Sequence, residues 1–330
     1  MNTLWTIYEN RMPDFIRPFL MSPALQRLGG VGMNCGCEYT AFPLFRRVLP
    51  YSRLDHSVGA ALIVWHWTHE REPALAALFH DIAAPVFAHV IDFVKGDYMN
   101  QEATEEGTAR RIREDRIIAD LLREAGIPLA RVEEDRMYPL VNNETPRLCA
   151  DRLEYTLGNL LHFGLCTAEE IQALYEDLTV TSAEDGTEEP AFRDRETAAR
   201  FARLALCCSR IYVSDEDRYA MQRLAELIKR AMGKGVLREE DLRTTEEAVI
   251  RKMLADREFR AAWEAFASLS RTERAPQPDE RPFWRQIPAK KRWIDPLVKG
   301  EGRLSRLDPD FRREAEAFVQ SPLTHWVLGA

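Results

Sequence analysis

Apolar residues recur at three- and four-residue spacing over 54–70, 73–83, 100–124, 146–163 and 168–176, with Pro or Gly between the runs. That period gives each run one apolar face, so each predicts a helix. The pattern changes once. DLTVTSAEDGTEEPAF (177–192) alternates weakly around Asp185-Gly186, which predicts a hairpin inserted between helices. Helical spacing resumes over 195–233 and 245–270, a Pro-rich charged connector covers 271–290, and a last helix is predicted over 308–320. The expectation is an all-α fold in two parts: a helical core over 1–176, and over 177–330 the hairpin plus a mostly helical C-terminal region packed on that core. There is no internal repeat and no low-complexity tract.

The Gly-rich stretch GGVGMNCG (29–36) is not read as a phosphate loop, because LQRLGG before it looks like a helix closed by a glycine cap, where a strand would be needed. A chain of 330 residues can bury a substantial core. A net charge of −8 argues against a general nucleic-acid binder, whose affinity comes from neutralising phosphates. One local basic run, RPFWRQIPAKKR (281–292), interleaves cations with Phe283 and Trp284; it reads as a solvated connector resting its aromatics on the neighbouring lobe, or as a site for a polyanion. No stretch approaches the roughly 18–20 apolar residues of a spanning helix, and MNTLWTIYENRMPDF lacks a basic-then-apolar leader, so a cytoplasmic protein without a membrane partner is expected. The six cysteines read as reduced thiols, and Cys35-Gly-Cys37 has no second pair at zinc-ribbon spacing.

The chemistry centres on LFHDIAAPVFAH (78–89), where His80 and Asp81 follow the apolar run PALAALF. A carboxylate carried out of water needs a cation, a hydrogen-bond network or a metal. His56, in SRLDHSVG, and Asp151, in CADRLEY, complete an H…HD…D set spread over three predicted helices. Two imidazoles and two carboxylates suit one divalent ion (Fe, Mn, Ni, Zn or Mg) with positions left open.

The surrounding motifs are ordered. Gln26-Arg27-Leu28, RLDHSVG (53–59), HDIAAPVFAH (80–89), TEEGT (104–108) and DRLEY (151–155) together resemble the HD-domain metal-dependent phosphohydrolases, in particular their deoxynucleoside triphosphate triphosphohydrolase branch, with a looser likeness to about residue 256. The resemblance implies an HD-domain helical core and hydrolysis of a small phosphorylated substrate, a nucleotide or another phosphate ester, through a metal-activated water. It assigns His56, His80, Asp81 and Asp151 as metal ligands, and Gln26, Arg53, Arg152, Tyr155 and Asn159 to the substrate. Asp81 is expected to orient the water, and Asp92, with His89 behind it, to move the proton. Members of that branch form dimers and higher oligomers, so the resemblance also implies a homo-oligomer.

Three positions depart from the pattern. Ala84 and Thr104 stand where the family has histidines that serve acid–base and phosphate contacts, and Asn159 stands where an aspartate contacts the sugar. A degenerate member that binds metal and nucleotide as a sensor, with little turnover, is therefore the alternative. Each assignment also has a plainer reading. Arg53 could pair with Asp55 or Glu38, His89 with Asp92 could be a surface pair, and Tyr155 could be core packing; His66, His69 and His162 are read as structural.

Overall fold

The computed structural model describes residues 3–96 and 107–330. Helices α1 (Thr3–Tyr8) and α2 (Pro23–Leu28) precede α3 (Arg53–Thr68), which is buried without a break from His56 to Val64. A helix apolar all round belongs inside, and α3 packs on both α4 (Arg71–Phe79) and α8 (Ala150–His162). Between these come α5 (Val90–Lys95), α6 (Thr108–Glu114) and α7 (Arg116–Glu124), and after them α9 (Ala168–Glu176). Gly59 sets the α3–α8 separation: a Cβ there would stand 2.7 Å from Glu154 Cγ, inside van der Waals contact.

Strands β1 (Leu178–Ser182) and β2 (Glu188–Phe192) form the expected antiparallel hairpin, Leu178 opposite Phe192. Then come α10 (Arg195–Ile211), α11 (Asp215–Gly233), α12 (Glu246–Ala255), α13 (Arg257–Ala267), β3 (Thr272–Ala275), β4 (Leu297–Val298), β5 (Gly302–Arg303), α14 (Leu304–Leu307), α15 (Pro309–Gln320) and β6 (Trp326–Gly329).

The fold is mostly helical, not all-α. The hairpin grows into a sheet of order β1-β2-β4-β5, and β3 pairs with β6 across the predicted connector. Strands β4 and β5 are two residues each; they exist because the edge of β2 offers Ala191 and Phe192 to Leu297 and Val298, a pairing with no local period to betray it. Three predicted helices are also broken. Asp115 ends α6 and caps α7 by accepting from the Ile117 and Ile118 amides, Ser214 caps α11, and Asp256 caps α13. Residues 100–106 of the predicted helix over 100–124 lie outside the described residues. The LQRLGG helix does end at Gly29, but with φ −63°, so no left-handed cap is involved.

Among the described residues two large apolar clusters result, each drawing residues from both sides of position 176, with a small third one of Ala183, Ala191 and Leu297 at the sheet. One runs from Leu4 through α3, α4 and α8 to Phe311 and Ala315 of α15. The other joins Val31–Phe45 and Val86–Phe93 to α11, α12, α13 and Val327. Among the described residues no helix is long and apolar enough to cross a membrane.

Candidate metal and phosphate site

A cavity of about 1090 Å³ opens at the junction of the two clusters. Helix starts and ends meet there. Ser52 and Asp55 form a reciprocal capping box that begins α3, so Arg53 and His56, three residues apart on one face, point from its first turn into the cavity. Because Asp55 is spent on the cap, Arg53 turns to Asp81, with Nη1 to Oδ2 at 2.5 Å, and not to Asp55 or Glu38. His80 closes α4, and its Nδ1 donates to the Ala77 carbonyl at 2.6 Å. Asp151 sits in the first turn of α8, where the helix dipole favours a carboxylate, and Tyr155 and Asn159 follow it on the same face.

His56, His80 and Asp151 can each present a donor atom within 4.8 Å of the others. His56 Nε2 stands 3.0 Å from His80 Nε2 and 3.1 Å from Asp151 Oδ1. The protons decide what this means. With Nδ1 of His80 donating to a carbonyl and Nδ1 of His56 held by the Glu154 carboxylate at 2.6 Å, the Nε2 atoms of the two rings turn toward one another and toward an anionic oxygen. A proton on His56 satisfies this arrangement; when it leaves, three acceptors face one point and a metal cation can take its place. The two separations from His56, near 3 Å, match neighbouring positions around an octahedral ion with bonds of about 2.1 Å, and His80 Nε2 stands 3.7 Å from Asp151 Oδ1. The donor set fits a divalent metal.

The electrostatics agree. Burial disfavours a charged His56, yet hydrogen bonds to Asp151 and Glu154 outweigh it and push its pKa up to about 10: positive charge is favoured at this spot. Burial would raise Asp151, but His56 and His80 bring it down to about 2. Burial likewise opposes ionised Asp81, and Arg53, His80 and His56 hold it well below the usual carboxylate range. Asp81 stands beside the three-residue cluster, its Oδ2 3.8 Å from His80 Nε2 and engaged by Arg53.

The other expected site residues fall into three groups. Tyr155 and Asn159 line the cavity; Asn159 Nδ2 donates to Tyr212 at 2.7 Å, while its Oδ1 is buried without a partner. Arg152 lines it too, with its Nε donating to the Arg147 carbonyl and its Nη2 to the Asn143 carbonyl and side chain. Gln26 is exposed and outside the cavity wall, because α2 turns its neighbour inward: Arg27 donates to the Ile82 and Ala84 carbonyls at 3.0 and 2.7 Å and braces the turn after His80-Asp81. The order of the acid–base pair is reversed. His89 faces the cavity, and Asp92, fully buried, supports it from behind at 3.0 Å. Left-handed backbone at Phe87 and Ala88, φ 57° and 43°, aims His89; each such residue costs on the order of 1–3 kcal/mol, so the surrounding packing must enforce it. Ala84 is buried, and Thr104 lies outside the described residues.

Glu154 went unassigned at the sequence level although it lies inside DRLEY. Asking where the second nitrogen of His56 goes would have found it, since a metal-facing imidazole needs an orienting partner. Glu154 also accepts from Tyr51, and its Oε1 is buried without a partner. His162 stacks on Tyr51 with ring centroids 4.5 Å apart, outside the cavity wall.

No family model matches the chain. It is similar to the metal-dependent phosphohydrolase cns2 of Cordyceps militaris, 29% identical over 93% of this chain and 88% of that protein. It is also similar to the uncharacterized protein YdhJ of Bacillus subtilis, 25% identical over 76% of this chain and 74% of that one.

Proposed function

We propose that the protein is a metal-dependent phosphohydrolase of HD-domain type, acting on a small phosphorylated substrate of nucleotide size. The observation that carries this reading is the convergence of three lone-pair donors, His56 Nε2, His80 Nε2 and Asp151 Oδ1, on one point in the wall of a large polar cavity. Similarity to a protein named a metal-dependent phosphohydrolase supports it. A divalent ion held by these residues, with Asp81 alongside, would supply Lewis acidity toward a phosphoryl oxygen and acidify water at neutral pH.

The chain's own groups divide the remaining work. Ionised Asp81, kept so by Arg53, accepts a hydrogen bond from the attacking water and aligns it. His89, oriented by Asp92 and held below the usual histidine range by burial, is the cavity-facing imidazole placed to move a proton at the reacting oxygens, where Ala84 replaces the family's histidine. Asn159 lines the cavity beside Tyr155 and Tyr212, and a substrate's sugar hydroxyl or base amino group would supply a polar partner along that stretch of wall. A nucleotide supplies such a group, and the cavity volume accommodates one.

Purified protein loaded in turn with Mn, Fe, Ni, Mg or Zn should release phosphate, pyrophosphate or triphosphate from a panel of nucleotides and phosphate esters, and elemental analysis should find one metal per chain that is lost in His80→Ala. No release with any metal, alongside ligand-induced thermal stabilisation, would make the protein a sensor.

A further inference from the structure

The ring of His56 is gripped at both nitrogens by one helix. Asp151 and Glu154, three residues apart on one face of α8, stand 3.1 Å from its Nε2 and 2.6 Å from its Nδ1. Asp151 borders the cavity, whereas Glu154 is fully buried behind the ring. Whatever holds Glu154 therefore helps to decide where the cavity-facing nitrogen of His56 points.

That support comes from outside α8 and from behind the cavity wall. Glu154, Gly158 and His162 follow at four-residue steps, so they form one stripe along the helix, and Tyr51 lies along that stripe. Its hydroxyl donates to Glu154 Oε2, the same oxygen that His56 Nδ1 meets, and its ring stacks on His162 with centroids 4.5 Å apart and planes within 5°. Gly158 leaves the room between: a Cβ there would stand 2.7 Å from Tyr51 Cε1, inside van der Waals contact. The backbone around Tyr51 is fixed as well. Its carbonyl accepts from the Met33 amide at 3.0 Å; two residues earlier, the Leu49 amide donates to the His162 carbonyl at 3.1 Å, and the Leu49 carbonyl accepts from His162 Nδ1 at 3.3 Å. Tyr51, Glu154 and His56 are all buried, so bulk solvent does not compete for the bonds between them. Packing alone would be served by a phenylalanine. A buried hydroxyl costs free energy unless it is paired, and this one is spent on the carboxylate behind a metal-facing ring.

We infer that Tyr51 is a positioning residue for the metal centre, acting through Glu154 to fix the rotation of the His56 ring. It holds Glu154 where Oε2 meets Nδ1, and so aims Nε2 at the point shared with His80 and Asp151. The inference rests on the metal reading of that point, but the hydrogen-bond chain can be tested with no metal present.

Tyr51→Phe keeps the ring on His162 and removes the hydroxyl alone. In proton NMR of the full chain, isotope-labelled at histidine and without added metal, the His56 Nδ1–H resonance, assigned by its loss in His56→Gln, should shift and exchange faster with solvent in Tyr51→Phe. Metal affinity from chelator competition should fall about 10-fold, the lower end of what an outer partner contributes, and the cobalt-substituted protein should show an altered visible spectrum. In a Glu154→Gln background the same substitution should change metal affinity by less than about 2-fold, because Tyr51 acts through the carboxylate. An unmoved His56 resonance in Tyr51→Phe, or an equal loss of affinity with and without Glu154, would overturn the inference and reduce Tyr51 to packing. A parent protein that binds none of the metals would sink the metal reading instead, and the resonance would still show or refute the Tyr51–Glu154–His56 chain.

Discussion

The cavity has two unlike walls. On one, His56, His80 and Asp151 come from the ends of α3, α4 and α8, and each is held by a neighbour within a helical turn or two of its own element or its packing partner. On the other, His89, Asp217, Lys290 and Arg292 come from a strained turn, a helix start and an extended strap, brought together from positions more than 200 residues apart. The first wall is preorganised by regular structure and concentrates acceptors. The second carries two cations, and the stretch that bears them is fastened by tertiary contacts. Metal retention should therefore depend on the first wall, and turnover and substrate choice on the second.

The largest effect should come from breaking the first wall. Asp151→Ala removes the anionic member of the donor set, and metal measured by elemental analysis after desalting should fall further than the roughly 100-fold affinity loss typical of a mere supporting residue. Hydrolysis should fall with it. Full metal content in this variant would show that the cluster is a satisfied polar knot with no ion-binding role.

Next comes His89→Ala, on the second wall. Loss of the proton-transfer group should lower kcat by about 10²–10⁴-fold while metal content stays unchanged. Asp92→Asn, which leaves the imidazole in place but weakens its orientation, should cost less and leave KM near the parent value. Equal losses in the two variants would mean that Asp92 acts on the proton directly.

Glu154→Gln sharpens the division by probing behind the first wall. The amide can no longer enforce an Nδ1–H tautomer on His56, so metal affinity should fall by about 10–100-fold. Competition with a chromophoric chelator measures it, and cobalt-substituted protein should show an altered visible spectrum. An unchanged affinity and spectrum would reduce Glu154 to packing.

These walls were unequally legible. His56, His80, Asp81 and Asp151 stand in motifs whose register is local; helical periodicity places His56 on α3 and Asp151 on α8, but the helix expected over 73–83 ends at Phe79, so His80 caps α4 and Asp81 lies in the turn beyond it. Arg53 and Tyr155 came with them because three- and four-residue spacing keeps side chains on one helical face. What Arg53 pairs with was not local: the Ser52–Asp55 box removed the nearest acid, and the partner became Asp81, 28 residues on. Helix breaks at Asp115, Ser214 and Asp256 were hidden because the apolar period continues across a cap. The strap was visible only as a basic run with two aromatics. Trp284 did prove to be buried, but Phe283 stayed half exposed beneath Arg223, and nothing in the run said which lysine would face α15 and which the cavity.

The smallest effect concerns the charge balance of the second wall. Asp217 lies in the first turn of α11, buried against Cys37 and lining the cavity near Arg292. Burial pushes its pKa up to about 8, against the opposing pull of Cys37, Arg218 and Arg292 and with a small push from Glu216. An acid whose folded pKa is raised holds a proton that the unfolded chain has already released, from roughly pH 4, the unfolded value, up to about 8. Stability therefore declines as pH rises through that window, and the loss is complete above it. Asp217→Asn should flatten the decline, leaving the variant more stable than the parent at pH 8.5 by about 1 kcal/mol or more and indistinguishable near pH 4, a difference of roughly 2–4 °C in melting temperature per kcal/mol. Glu38, also raised to about 8 by burial and by Glu246, titrates in the same window, so some slope should remain. A parent whose melting temperature rises from pH 5 to 8 would mean that Asp217 is ionised in the fold and paired with a cation. The second wall would then lose the net positive character that sets it apart from the first.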